Sequence, residues 1–141
     1  MNEAVLFLFI KGNQVLLEYR LTATGKFEEV LVPGGGIDHR DRIDGKDHRE
    51  VAMHREINEE YAKLVKAHTY TYIDYVDTID KNLRFHIFFV HGWDGEHPAM
   101  MDHDGDKAKL VWMDIAEAKN VIQSEAGVFA IQKASTYLTK N

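Results

Sequence analysis

The chain has 141 residues, 45% hydrophobic, 28% charged and 11% aromatic, with two prolines. That balance fits one globular domain around one core and excludes collagen-like, low-complexity and disordered classes. Acidic residues outnumber basic ones by 23 to 17, for a formal charge of −6, which argues against binding a nucleic-acid polymer or an anionic membrane, and a phosphorylated ligand would need a cation to intervene. There is no cysteine, so disulfides, thiolate catalysis and thiolate-ligated metal centres are eliminated. The apolar run at residues 5–10 is shorter than a secretory core and follows Glu3, and nowhere do about 20 apolar residues run together, so a soluble, cytoplasmic protein is expected.

Residues 5–10 and 14–19 flank Lys11-Gly12-Asn13 and predict a hairpin. A third short strand at residues 30–32 is cut off by Pro33 and by Gly34, Gly35 and Gly36, which read as a loop; the charged, aperiodic residues 37–46 continue it. From Asp47 to Leu64 the pattern becomes helical. Around Ile57, the residues Val51, Met53, His54, Tyr61 and Leu64 share one arc, with Glu56, Glu59 and Glu60 in the neighbouring one. Asp47 suits the N-cap or the first turn. Residues 69–77 and 83–93 form a second, longer hairpin, residues 94–107 read as loop, and 108–113 as a strand. Asp114 and Ser124 are N-cap candidates for a short helix over 115–120 and a final helix carrying Val128, Ile131, Ser135 and Leu138.

Three carboxylates on one helical turn repel each other, so helix stability does not explain them. Glu56 and Glu60 are i,i+4 neighbours and Glu59 projects between them, a spacing that lets three oxygens converge on a hard divalent cation, magnesium or manganese. The spacing alone fits a solvated acidic face neutralised in part by Arg55 about as well. The preceding glycines would let backbone approach a metal or phosphate closely, but they form neither a P-loop nor a dinucleotide fingerprint.

Taken together, the Pro33-Gly34-Gly35-Gly36 run and the helix resemble the Nudix box, G-x5-E-x7-R-E-U-x-E-E-x-G-U, where U is bulky and aliphatic. Arg55-Glu56-Ile57-Asn58-Glu59-Glu60 is an intact R-E-U-x-E-E, whose chance occurrence in a chain of this size is on the order of 10⁻³. Val15-Leu16-Leu17 followed by Arg20, and Leu110 through Asp114, are similar to the family's second strand and its late strand and helix start. The chain departs from the pattern twice. Counting back from Arg55 puts the family's first glutamate on Asp47, about six residues too far from Gly35, so the loop carries an insertion and leaves Asp38 and Asp47 both open for the earlier acidic role. Ala62 and Lys63 replace Gly and an aliphatic residue, so the turn leaving the helix should differ.

The resemblance implies a single Nudix-like domain over residues 1–141, an α/β/α sandwich with a mixed β-sheet. It implies Mg²⁺-dependent or Mn²⁺-dependent hydrolysis of a nucleoside diphosphate linked to another moiety, by water attack on phosphorus. Glu56, Glu59, Glu60 and the Gly35 carbonyl would be metal ligands, Arg55 would orient the glutamates, and Glu59 would help deprotonate water. Arg20 would contact phosphate or ribose. The loop before the last strand offers Glu96, Asp102, Asp104 and Asp106 as a further base or ligand, with Asp104 chosen. Tyr19, Phe27, Tyr72 and Phe88 could stack on a base, although core or sheet-face roles are commoner. His48 and His54 flank the box without an H-E-x-x-H pair, and a structural or exposed role is expected for them. A noncatalytic module binding a nucleotide metabolite is the alternative, and whether the chain forms a homodimer is left open.

Overall fold

The protein is described from a computed structural model covering residues 1–103 and 106–140. Its elements in order are β1 (Asn2–Lys11), β2 (Gln14–Leu21), β3 (Phe27–Leu31), β4 (Gly34–Gly36), a 3-10 turn (His39–Asp41), α1 (His48–Glu60), β5 (Val65–Thr78), β6 (Leu83–Gly95), β7 (Met100–His103), β8 (Asp106–Asp114), α2 (Ile115–Val121) and α3 (Glu125–Lys140). The sheet is mixed and runs β5-β6-β1-β2-β8-β7, with β3 paired to β2 and β4 paired to β1. β1 and β6 are parallel, Asn2 opposite Leu83 through Phe9 opposite Val90, whereas the β1–β2 hairpin holds only at Ile10–Val15 and Lys11–Gln14. The two strands diverge beyond that hairpin, and β4 takes the free edge of β1.

β1 is apolar along nearly its whole length because both of its faces are covered. Val5, Phe7 and Phe9 pack with Ala52, Met53, Ile57 and Tyr61 of α1. Leu6, Leu8 and Ile10 pack with Ala118 of α2 and Ala126, Ala130, Ile131 and Ala134 of α3. The result is the expected α/β/α sandwich. Among the described residues no helix is long and apolar enough to cross a membrane.

Several local expectations need correction. Gly34–Gly36 is a strand, and its first residue shows why glycine is required: a Cβ on Gly34 would lie 2.2 Å from the Val5 carbonyl oxygen. Residues 37–46 contain the 3-10 turn, capped by Asp38, and part of the segment read as loop after β6 is β7, paired to β8. Leu64 lies beyond the helix and is 54% exposed. Ser124 does accept the Gly127 N–H at 3.2 Å, and a Cβ on Gly127 would press on that hydroxyl at 2.6 Å, which accounts for a glycine inside α3.

α1 leaves through a tight exit in which the Lys63 N–H donates to the Asn58 carbonyl at 2.9 Å. Ala62 and Lys63 hold φ of 52° and 65° there, the left-handed region that favours glycine. Ala62→Gly should therefore stabilise the protein by about 0.5–1 kcal/mol, the relieved strain less the added chain entropy. A higher urea midpoint at unchanged m-value is the readout, and an unchanged or lower midpoint would refute the strain.

Candidate metal and phosphate site

The inner face of α1 is fixed by Ala52, Met53, Ile57 and Tyr61 in the core. That rotation sets Arg55, Glu56, Glu59 and Glu60 along the open side of the helix, beside β4 and β2. Asp47 is the N-cap, its Oδ1 accepting the Arg49 N–H at 2.9 Å, and its side chain also pairs with Arg49 at 2.8 Å.

Arg55 organises the site. Its Nε donates to Asp41 Oδ1 at 2.7 Å and its Nη2 to Asp41 Oδ2 and the Gly36 carbonyl, each at 2.8 Å. Its Nη1 donates to Glu56 Oε1 at 3.0 Å and Glu59 Oε2 at 3.2 Å. All five N–H groups of the guanidinium are thereby used. Asp41 is fully buried, and Arg55 holds its carboxyl below the ordinary range against the opposing effect of burial. The 3-10 turn presents it: Asp38 accepts the Arg40 N–H, and Asp41 accepts the Asp38 N–H at 3.0 Å. Neither Asp38 nor Asp47 is the main partner of Arg55. Asp38 pairs with Arg40, and its closest approach to Arg55 is 3.8 Å.

Gly35 lies directly under Glu56, where a Cβ would come within 2.1 Å of the carboxyl carbon. This is a cradle that any other residue would fill. Burial raises the Glu56 pKa, opposed by Arg55. Glu59 is half exposed. Glu60 turns the other way, toward Glu18 of β2, which is only 3% exposed and accepts from Arg20 Nε at 3.0 Å. Burial first, then the Glu18 carboxylate, pushes Glu60 up to about 8. Glu18 is the partner that sequence reasoning missed, since it sits within an otherwise apolar strand run.

The raised Glu60 carboxyl has a sign that can be measured. The folded Glu60–Glu18 pair holds a proton that the unfolded chain releases near pH 4.5, so metal-free stability should fall as pH rises from about 4.5 to 8. Urea midpoints measured in chelator should show this slope, and Glu60→Gln should flatten it. An unchanged slope in the variant would show that Glu60 titrates normally.

A cavity of about 300 Å³ is lined by Glu18, Arg20, Glu29, Glu60, Asp106 and Lys107 among others. A second, of about 510 Å³, is lined by Ala4 and Leu6, Leu31 and Val32, Gly34–Gly36, Leu83 and Phe85, with Thr78, Asp80 and Lys81 at the β5–β6 turn and Gln123 to Gly127 at the start of α3. Arg20 borders both. Asp106 begins β8 and reaches the smaller cavity, Asp102 pairs in register with Lys107, and Glu96 is exposed beyond β6. Asp104 lies outside the described residues. Phe88 is core, Tyr72 bonds His86, and Phe27 lies under Lys109.

The box glutamates do not form a closed cage. Glu56 and Glu59 are both drawn to Arg55 Nη1, while Glu60 is directed to Glu18. The hard oxygen donors and the Gly35 cradle fit magnesium or manganese.

A sequence profile of the NUDIX domain matches residues 2–131. Comparison with curated proteins gives no match. Among solved structures, a MutT from work on Aliivibrio salmonicida and Vibrio cholerae superposes with a TM-score of 0.71 at 20% identity, covering 96% of this chain and 98% of that one. A MutT NUDIX hydrolase from Burkholderia pseudomallei gives 0.70 at 20% identity, over 94% and 96% of the two chains. An ADP compounds hydrolase gives 0.67 at 20% identity, over 99% of this chain and 74% of that one. At such identity the structures establish the common fold; with the profile spanning nearly the whole sequence and the box helix braced as described, the chain belongs to the NUDIX family.

Proposed function

We propose that this protein is a Mg²⁺-dependent or Mn²⁺-dependent pyrophosphohydrolase that cleaves a nucleoside diphosphate linked to another moiety. The observation that carries this reading is the place of Arg20, shared between a carboxylate-lined cavity and a larger one with an apolar floor of Ala4, Leu6, Val32 and Phe85. A substrate with charged phosphates and a less polar remainder has that same division. The fold shared with an ADP compounds hydrolase supports the choice of class. The partner is then a small phosphorylated molecule.

Glu56, Glu59, Glu60 and the Gly35 carbonyl would hold the cation. When bound, it would neutralise phosphoryl charge and lower the pKa of attacking water. Arg55 orients Glu56 and Glu59 through the bonds at 3.0 and 3.2 Å. Glu59, the most exposed of these carboxylates near Arg55, takes the proton from water. Arg20 exchanges its bond to Glu18 for a phosphate oxygen, for which a guanidinium fork is suited.

The experiment is a panel of nucleoside triphosphates, dinucleoside polyphosphates and nucleotide sugars, with products identified. Cleavage of an anhydride bond that stops on adding chelator is expected. Turnover independent of metal, or tight binding with no turnover of any member, would overturn the proposal, the latter in favour of a binding module.

A further inference from the structure

Outside the box, one group of side chains has no part in the chemistry above. Glu3 of β1, His86 of β6 and His48, the first residue of α1, bring one donor atom each to within 4.8 Å of one another. β1 and β6 are parallel with Glu3 opposite Arg84 and Val5 opposite His86, so Glu3 and His86 are diagonal neighbours on one face of the sheet. His86 Nε2 lies 2.7 Å from Glu3 Oε1, and His48 Nε2 lies 3.4 Å from Glu3 Oε2. That His48 nitrogen is shielded from solvent and has no hydrogen-bond partner.

We propose that Glu3, His48 and His86 form a second metal site that takes a borderline transition cation, zinc in the first instance, and ties the start of α1 to the sheet. The donor set is two imidazoles and one carboxylate, which suits zinc and its neighbours and not magnesium. The site has the outer support such centres require. His86 Nδ1 lies 2.8 Å from the Tyr72 hydroxyl, and that hydroxyl can donate or accept. The imidazole can therefore shift its proton from Nε2 to Nδ1, freeing Nε2 for the metal without orphaning either group. Tyr72 is itself covered by the Arg49 guanidinium, 4.2 Å above its ring.

Arg42 donates to Glu3 Oε2 at 2.8 Å, and its side chain, 56% exposed, can swing away as the metal enters. Glu3 and His48 retain partial exposure, which gives an entry path. The site stands at the opposite end of α1 from the box: Glu56 lies eight positions after His48, about 12 Å along the axis.

The test is titration of the metal-free whole protein with Zn²⁺ by calorimetry, and with Co²⁺ followed by visible absorption, both in excess Mg²⁺ to saturate oxygen-only sites. One equivalent per chain is expected, with a Co²⁺ spectrum of low coordination number and a raised Tm. His48→Gln, at a helix-start position whose side chain is 30% exposed and makes no hydrogen bond through Nε2, should weaken binding by about 100-fold or more, and Tyr72→Phe by about tenfold. Glu59→Gln should leave Zn²⁺ affinity unchanged. No binding in excess Mg²⁺, equal affinity in His48→Gln, or loss in Glu59→Gln would each overturn the site. The readout is binding, so its failure leaves the hydrolase reading untouched.

Discussion

Replacing Glu59 by Gln should lower kcat by about 10²–10⁴-fold with little change in KM, the loss expected when a general base is removed. The fold should scarcely register it. The Glu59 side chain is 50% exposed, and its ion-pair contacts are to Arg55 at 3.2 Å and Arg40 at 4.0 Å; surface pairs of that kind contribute about 0–1 kcal/mol. A drop in kcat at unchanged Tm therefore reads chemistry alone. Steady-state kinetics on whichever substrate the panel identifies, with a thermal melt of the same preparation, is the measurement. Activity within a few-fold of the parent would transfer the base to another carboxylate, with Glu56 and Asp106 next in line.

Asp41→Ala has the opposite profile, a structural loss first and a catalytic one through it. The Asp41 carboxylate is buried and holds Arg55 bidentately at 2.7 and 2.8 Å. Breaking a buried pair by removing one partner costs about 3–5 kcal/mol. Arg55 keeps Glu56, Glu59 and the Gly36 carbonyl, so about 3 kcal/mol is expected, measured by urea denaturation. kcat should fall too, because the guanidinium that aims both glutamates loses its anchor. The pH dependence has a definite sign. Arg55 depresses the folded pKa of Asp41, so the pair's stabilisation is complete above the unfolded value near 3.9 and is lost as pH falls through the depressed one. Asp41→Asn should be less sensitive to acid at the bottom of that range. If Asp41→Ala unfolds at the parent's urea midpoint, Arg55 is not braced as described.

The helix and its carboxylates were legible because a 3.6-residue period and an uninterrupted Arg55-to-Glu60 motif are local signals. Asp41 was not, for a reason that lies in the counting. Measured backward from Arg55, the family spacing lands on Asp47; measured forward from Gly35, six positions on, it lands on Asp41, the residue that binds Arg55. The extra residues lie between the acid and the helix, and the backward count crossed them. The capping pair Asp38 and Asp41, three apart, was the available local sign of a fixed turn.

What the sequence hid were relations between distant strands. Glu18 lies in a run of buried residues, and only the β2–α1 juxtaposition shows it facing Glu60. Gly34–Gly36 read as a loop because no side chain advertises a strand; the pairing belongs to β1. His48 and His86 stand 38 positions apart and meet only because β6 lies beside β1. No spacing rule for metal ligands reaches across that distance.

The parallel ladder between β1 and β6 bears on how the chain is made. Its partners are separated by about eighty residues in sequence, and such non-local pairings form late and slow the approach to the native state. Until Leu83–Gly95 has left the ribosome, the uncharged run from Val5 to Ile10 has no partner along the edge that β6 will occupy. A bare apolar strand of six residues is an aggregation hazard in a nascent polypeptide. Yield on expression should accordingly depend more on translation rate, temperature and chaperone supply than on the stability of the finished protein, and fragments ending before β6 should precipitate.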